Sequence, residues 1–214
     1  MSRGIALEQT PGRRRRSEDK RTAILDAAEH LFIAEGYERT SVDAIAARAQ
    51  VSKRTIYDHF GDKETIFLRA AERVTDALTS AVRAAIDEEL TPHRDLREAL
   101  TAFAGRIATR TFPSSDYAAF RRLVVQQRSV PALPAAVRGR PERMLEERFA
   151  ALAAEGALRT PDPGLAARHF TALTISLALE TVLERREPGT EPAFEATVEA
   201  VIADGVDAFL RAYR

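Results

Sequence analysis

The chain has 214 residues, of which 45% are hydrophobic and 30% are charged, and its formal net charge is zero. This balance is ordinary for a globular protein and excludes a bulk electrostatic polyanion binder, so any nucleic-acid contact must come from individually placed residues. The absence of cysteine excludes disulfides, thiolate catalysis and thiol redox sensing. No apolar run approaches transmembrane length and no secretory signal is present, so we expect a soluble, cytoplasmic protein with no membrane partner.

The first 16 residues form a basic arm that we expect to be disordered. It ends in four consecutive arginines, Arg13 to Arg16, a pattern typical either of solvated charge or of an arm that follows a polyanion. A helix is then predicted from Ser17 to Gly36, because apolar residues recur at helical spacing and glycine commonly ends a helix.

The stretch from Thr40 to Phe60 predicts two short helices joined by a tight turn. Thr40 is the candidate N-cap of the first helix and Ser52 that of the second. Ile56 and Phe60 lie one turn apart and should face inward. The other face of the second helix carries Lys53, Arg54, Tyr57 and Asp58. A short helix with such a polar face suits insertion into the major groove of DNA.

This segment resembles the helix-turn-helix of the TetR family of transcriptional regulators. The matching pieces, in register, are Thr40-Ser41-Val42, Ile45-Ala46, Ala49-Gln50-Val51-Ser52, Thr55-Ile56-Tyr57, His59-Phe60 and Lys63-Glu64. The resemblance runs from about Lys20 to Phe67. It departs from the family at Gln50, where glycine is usual, so either the turn has a different shape or a strained backbone is tolerated.

The resemblance implies an all-α fold of about nine helices, with a three-helix DNA-binding domain at residues 17–67 and a larger effector-binding and dimerisation domain at residues 68–214. It also implies a regulator without enzymatic activity or cofactor, acting as a repressor that a small-molecule effector releases from a palindromic double-stranded DNA operator. The candidate DNA-binding residues are Arg15, Arg16, Thr40, Ser41, Ser52, Lys53, Arg54, Thr55, Tyr57, His59 and Lys63.

Lys63 stands in the first turn of a helix that should start at Asp62 and run to about Leu90. A cation there opposes the helix dipole, and a phosphate bound at the same helix end would relieve the misfit. The alternative is a harmless exposed lysine. Further helices are predicted from Thr91-Pro92 to about Thr111, near residues 117–129 and 135–155, and over residues 165–184 and 192–213.

An effector pocket is expected among the middle helices, because ligand sites in helical proteins form between packed helices. Its candidate residues are Phe103, Arg106, Ile107, Phe120, Gln127, Phe170 and Thr174. Ordinary core packing is the competing interpretation of each apolar one. Between Ala99 and Pro141 the only acidic residue is Asp116, which favours a neutral or anionic effector of mainly apolar, aromatic character.

The last two helices have wide apolar faces. The resemblance implies that they form a four-helix bundle with a second subunit, although burial within one subunit would also explain them. The candidate dimer-interface residues are Leu173, Leu177, Glu180, Val198, Val201, Ile202 and Phe209.

Two other classes of function compete with this interpretation. A helical enzyme with an incidental helix-turn-helix lacks a catalytic constellation in the sequence, and the four histidines have no metal-ligand spacing. A DNA-binding activator or architectural protein without small-molecule control remains open, because residues alone do not separate a repressor from an activator.

Overall fold

The computed structural model describes residues 11–92, 94–111, 119–120, 123–124, 130–135, 137, 139–184 and 191–214. Within these ranges the chain is helical and contains no strand, which confirms the all-α prediction. The helices are α1 (Pro11–Glu35), α2 (Val42–Arg48), α3 (Lys53–Phe60), α4 (Lys63–Glu89), α5 (Leu96–Arg106), α6 (Arg140–Ala154), α7 (Pro163–Thr171), α8 (Leu177–Glu184) and α9 (Glu191–Tyr213). Two π-helical segments also occur: π1 (Ile107–Thr111) continues α5, and π2 (Ala172–Ser176) joins α7 to α8.

The chain divides into two compact units. The first comprises the residues up to Arg73 together with residues 119–133, and the second comprises residues 74–118 and 134–214. The helix α4 contributes its first part to one unit and its remainder to the other.

The first unit is built around the face of α1 that the apolar periodicity predicts. Ile24, Ala28 and Phe32 of α1 are completely buried. The ring of Phe32 lies 5.3 Å from that of Phe67 in α4, at an edge-to-face angle of 77°. This favourable aromatic geometry fixes α1 against the first part of α4.

The second unit has a core rich in phenylalanine. Phe103, Phe149, Phe170 and Phe209 come from α5, α6, α7 and α9, and each is at most 1% exposed. The rings of Phe149 and Phe209 both lie 5.4 Å from that of Phe170. Phe170 is therefore the aromatic centre on which three helices of this unit meet.

Three helix starts differ from the sequence-based prediction, and one of them is that of α6, which begins at Arg140 and not at Ala135. The helix α1 begins at Pro11 and not near Ser17, so residues 11–16 are helical, as the preference of proline for the first helical position allows. The helix α5 is capped by Asp95 and not by Thr91, because the Asp95 carboxylate accepts hydrogen bonds from the backbone N–H groups of Arg97 and Glu98 at 3.0 and 3.2 Å.

Candidate functional site

The helix-turn-helix is defined by two serine caps. Ser41 Oγ accepts the backbone N–H of Ala44 at 3.0 Å, and Ser52 Oγ accepts that of Thr55 at 3.1 Å. The prediction for Ser52 is confirmed, whereas the predicted cap at Thr40 is wrong. The Thr40 side chain is 1% exposed and donates to the carbonyl oxygen of Gly36 at 2.8 Å, so its hydroxyl is not available to a phosphate in this conformation.

One residue of the turn between α2 and α3 has a left-handed backbone conformation, although that residue is not glycine. Gln50 has φ +54°, the one non-glycine residue with positive φ among the described residues. The N–H of Gln50 bonds to the carbonyl of Ala47 at 3.3 Å, and the N–H of Val51 bonds to that of Ala46 at 3.1 Å. This is the Schellman pattern of helix termination, so the turn has its usual shape and the strain at Gln50 is tolerated.

The helix α3 separates an apolar face from a polar one, as predicted. Ile56 and Phe60 are 0% and 6% exposed and hold the helix against the first unit. On the opposite face Lys53 and Arg54 are exposed, and Tyr57 is 47% exposed, which is unusual for a large aromatic residue. The exposed face therefore presents two cations and a phenol with no aliphatic residue.

Both cations of this face have carboxylate partners in the structure. Lys53 Nζ lies 3.0 Å from either carboxylate oxygen of Asp43 in α2, and Arg54 Nε lies 3.9 Å from Asp58. The hydrogen bond to Asp43 raises the pKa of Lys53, with the Asp43 charge adding to the effect. These exposed pairs are weak and can be exchanged for other anions.

The other candidate DNA-binding residues of the first unit differ in how exposed they are and in what they contact. Thr55 Oγ1 lies 2.8 Å from Ser52 Oγ, and the half-buried His59 ring lies 6.3 Å from that of Phe60. Arg15 and Arg16 are exposed on the first turns of α1. Ser41, the N-cap of α2, is exposed.

Lys63, the first residue of α4, has partners that the sequence did not indicate. Its ammonium donates to the carbonyl oxygens of Tyr37 at 3.0 Å and Thr40 at 3.2 Å. It also lies 4.3 Å from the centroid of the Tyr37 ring, which is within the range of a cation–π interaction. Its predicted phosphate contact stays a prediction.

Sequence reasoning overlooked Asp43 and Tyr37. An acidic residue in the first turn of a helix is usually explained by the helix dipole, so nothing marked Asp43 as the partner of Lys53. Tyr37 follows the predicted end of the first helix at Gly36, and no pattern in the sequence marks it as a partner of Lys63. Burial, followed by the negative charges of Glu64, Asp62 and Glu38, raises the pKa of its phenol.

The effector-pocket candidates are divided between the two units. Phe103, Ile107, Phe170 and Thr174 are buried in the second unit, and the Thr174 hydroxyl donates to the carbonyl of Phe170 at 2.7 Å. Phe120 belongs to the first unit, where it stacks on Phe67 at 5.1 Å. The Arg106 guanidinium donates two hydrogen bonds to the Glu88 carboxylate, from Nη1 to Oε2 and from Nη2 to Oε1, the latter 3.2 Å long. Gln127 lies outside the described residues.

The dimer-interface candidates separate into two groups. Leu173, Leu177, Glu180 and Val201 line a groove of about 370 Å³ between α9 and the π2–α8 segment. Val198, Ile202 and Phe209 are at most 1% exposed within the subunit's own core, and this burial removes them from any face that a partner could contact.

At Gly205 the helix α9 approaches the π2 segment so closely that no side chain would fit. A Cβ atom built there would overlap the carbonyl oxygen of Leu173 and lie 2.8 Å from its carbonyl carbon. Gly205 also lines the groove, together with Thr181, Asp204 and Ala208.

No helix in the described ranges is both long and apolar enough to cross a membrane. In the same ranges no group of His, Asp and Glu side chains could hold a metal ion.

Comparison with known proteins matches both parts of the chain. Residues 24–70 match the family model for bacterial regulatory proteins of the tetR family, and residues 98–214 match that for the C-terminal domain of AefR-like transcriptional repressors. The HTH-type transcriptional activator FasR of Mycolicibacterium smegmatis is 37% identical over 92 residues, which are 43% of this chain and 42% of FasR. The chain therefore spans less than half the length of that relative.

Two solved structures cover nearly the whole chain. A TetR family transcriptional regulator from Pseudomonas syringae is 31% identical, with 92% of this chain and 97% of that chain covered at a TM-score of 0.61. The flavonoid-responsive regulator FrrA is 27% identical, with 92% and 98% covered at a TM-score of 0.67. The family models, the serine-capped helix-turn-helix and these structures agree, and the chain belongs to the TetR family of bacterial transcriptional regulators.

Proposed function

We propose that this protein is a transcriptional repressor that binds a palindromic DNA operator as a homodimer and is released from it by a small-molecule effector. The observation that carries the proposal is the polar face of α3, where Lys53, Arg54 and Tyr57 are exposed while Ile56 and Phe60 anchor the helix from behind. A polar helix face held rigidly by its apolar face is what reading base edges in the major groove requires.

Arg54 is the candidate for base recognition. Its guanidinium has five donors and a weak, exposed partner in Asp58, so a guanine can replace that partner at little cost. Lys53 would likewise exchange Asp43 for a phosphate or base. Ser41, Ser52, Thr55 and His59 would contact the backbone, and Arg15 and Arg16 would extend these contacts along the duplex.

A homodimer is proposed through the groove lined by Leu173, Leu177, Glu180 and Val201. Leu177 is 45% exposed in a groove that Leu173 and Val201 line beside the polar Glu180, Thr181 and Asp204, and such an exposed leucine is well suited to contact a second copy. Two-fold symmetry would place two α3 helices in successive major grooves, about 34 Å apart.

The effector is proposed to enter the aromatic core of the second unit, around Phe103, Ile107, Phe170 and Thr174. These side chains are at most 2% exposed, so a ligand from solvent would reach them in a conformation in which the rings separate. Its differential affinity for that conformation would weaken operator binding by linkage. Aromatic walls favour a mainly apolar, aromatic, neutral or anionic compound, and FrrA, by its name, responds to flavonoids.

The test begins with the purified full chain, which is incubated with fragments of the organism's own genomic DNA. The fragments that it binds are recovered and sequenced. We expect enrichment of one palindrome whose half-sites are about one helical turn apart.

Arg54→Ala should weaken operator binding by about 10- to 100-fold and reduce discrimination against mismatched DNA. Arg83→Ala, which removes an exposed arginine from α4 in the second unit, is the control. Enrichment of no sequence, or unchanged discrimination by Arg54→Ala, would contradict the proposal.

Effector control is tested separately on the same protein and DNA. A thermal-shift screen of apolar aromatic compounds with neutral, anionic and cationic substituents should give hits of the first two kinds, which then release the operator. Tight binding by a cation that releases the DNA would show that the wrong pocket residues were chosen.

Activation of transcription is the second candidate function, because FasR is by name an activator. In vitro transcription from the selected operator separates the two. Repression predicts less transcript on adding protein and recovery on adding effector, whereas activation predicts more transcript.

A further inference from the structure

Lys53 begins α3, and its ammonium is paired with the carboxylate of Asp43 in α2. Lys53 Nζ lies 3.0 Å from each carboxylate oxygen, although the two residues are 10 positions apart in the chain. The contact therefore bridges the two helices of the helix-turn-helix. Both side chains stay open to solvent, with exposed fractions of 50% for Lys53 and 69% for Asp43. Since Lys53 belongs to the polar face of α3, the Asp43 carboxylate lies beside the surface that is proposed to meet DNA.

The ends of the two helices explain why this pair forms. Asp43 lies in the first turn of α2, where a negative charge complements the helix dipole. Lys53 lies in the first turn of α3, which contains no acidic residue, and a cation there opposes the dipole. Lys53 therefore gains from any anion nearby, and in the free protein that anion is Asp43. A DNA phosphate offers the same charge and the same kind of acceptor oxygens, so the two anions compete for one ammonium.

The helix-turn-helix has little net charge with which to attract DNA. Residues 41–60 contain three cations, Arg48, Lys53 and Arg54, and two carboxylates, Asp43 and Asp58, which leaves one net positive charge. Attraction to any duplex depends on how many cations neutralise phosphates. When Lys53 turns to a phosphate, Asp43 is left without its partner beside a polyanion. The pair therefore adds no net positive charge to the interface, although Lys53 by itself would.

We propose that Asp43 limits the affinity of this protein for DNA, because its carboxylate competes with the phosphates for the Lys53 ammonium. The proposal rests on the proposed DNA-binding function. The competition acts on every duplex alike, since all duplexes present the same phosphates, and sequence discrimination is left to contacts such as that of Arg54. A lower affinity for all DNA reduces the time that the protein spends on the many non-operator sites of a genome.

The test uses Asp43→Asn, which keeps the shape of the side chain and removes its charge. The control is Asp87→Asn, which makes the same change at an exposed site of α4 in the second unit. Affinities for the selected operator and for a mismatched duplex of equal length are measured from low to high salt.

For Asp43→Asn we expect both affinities to rise by the same factor, about three- to tenfold at low salt, with the gain disappearing at high salt. The slope of log affinity against log salt should become steeper by about 0.9 for each subunit that contacts the duplex. Asp87→Asn should match the wild type. An equal gain in Asp87→Asn would assign the effect to overall charge and overturn the proposal.

A second background shows whether Asp43 acts through Lys53. In a Lys53→Met protein, Asp43→Asn should give no gain, because the ammonium for which the carboxylate competes is absent. A gain of the same size there would mean that Asp43 repels the duplex directly. Weaker operator binding by Asp43→Asn, with altered discrimination, would make Asp43 a base contact. Either result would overturn the proposal.

Amine labelling of the free protein tests the contact without DNA. The hydrogen bond to Asp43 raises the pKa of Lys53, and only the neutral amine attacks an acylating ester. Asp43→Asn should therefore speed the acylation of Lys53, measured by mass spectrometry with the exposed Lys20 as the internal reference. If the wild type bound no DNA the proposed function would fail, yet labelling would still decide the contact: an unchanged rate at Lys53 would refute it.

Discussion

Arg73 donates two hydrogen bonds to Glu29, from Nε to Oε1 and from Nη2 to Oε2, each 2.7 Å long. The Glu29 side chain is only 11% exposed, and Arg73 Nη2 also bonds Asp26 at 2.6 Å. These hydrogen bonds, with that to Glu29 foremost, raise the pKa of the Arg73 guanidinium. Glu29 and Asp26 belong to α1 and Arg73 to α4, so the group ties the bracing helix to the helix that leads into the second unit.

Replacing Arg73 by Met should lower the free energy of unfolding by about 2 to 3 kcal/mol, because the Glu29 carboxylate would stay buried without its partner. The control is Arg69→Met on the same helix, whose pair with Glu72 is exposed at 52% and 37% and should contribute less than about 0.5 kcal/mol. Urea denaturation measures both. Equal losses would mean that burial of Glu29 does not strengthen the pair.

Replacing Gln50 by Gly should raise the free energy of unfolding by about 1 kcal/mol. Left-handed backbone strains a residue with a Cβ atom, while the extra freedom that glycine gives the unfolded chain offsets part of the gain. Gln50 is exposed, so the change removes little packing, and Gln50→Ala, which keeps the Cβ atom, is the control. Chemical denaturation should order the variants with Gly most stable. A Gly variant no more stable than Ala would show that this φ carries no strain.

Leu177→Glu should give monomers in sedimentation velocity, because a carboxylate in the proposed groove cannot be buried against a second subunit without a partner. The matched control is Leu165→Glu. Leu165 is a comparably exposed leucine of the same unit, 39% against 45%, and it is not among the residues that line the groove. A dimer that survives Leu177→Glu, or one that Leu165→Glu dissociates equally, would place the interface elsewhere.

Asp62 caps α4 by accepting the backbone N–H of Thr65 at 2.7 Å, and this bond lowers the pKa of its carboxyl. Because the pKa is lower in the folded state, the contribution of Asp62 is complete above the pKa of the unfolded chain and is lost as pH falls through the folded value. Asp62→Ala should therefore cost about 1 kcal/mol at neutral pH and progressively less in acid. Asp62→Asn, which cannot ionise, should show no such titration. Denaturation curves across this pH range test both.

The sequence predicted the elements of the DNA-binding segment well wherever the signal was local. The Ser52 cap and the inward Ile56 and Phe60 follow from spacing within one helix. It failed at Thr40, since two adjacent hydroxyl residues could each cap α2. The carbonyl of Gly36, across the loop, decided between them. A choice of that kind depends on the folded loop and not on periodicity.

Contacts between distant residues were beyond sequence reasoning for the same reason. The carbonyls that Lys63 binds are 23 and 26 residues earlier in the chain, and every residue has a carbonyl, so composition cannot mark them. The interface candidates show a second limit. Val198 and Val201 both belong to the apolar pattern of α9, but one is buried within the subunit while the other lines the groove. A wide apolar face does not reveal which part serves the subunit's own core.

The close approach at Gly205 has a consequence for how this protein can change over generations. The helix α9 can approach the π2 segment this closely because Gly205 has no Cβ atom. Adding a single methyl group there would separate the helices and reshape the groove beside them. In a saturation mutagenesis library selected for function, we expect the codon for Gly205 to accept almost no replacement, while those for the neighbouring groove residues Thr181 and Ala208 accept several. Descendants of this gene that acquire new binding partners would then do so by changing groove residues such as Thr181 and Ala208, while Gly205 stays unchanged.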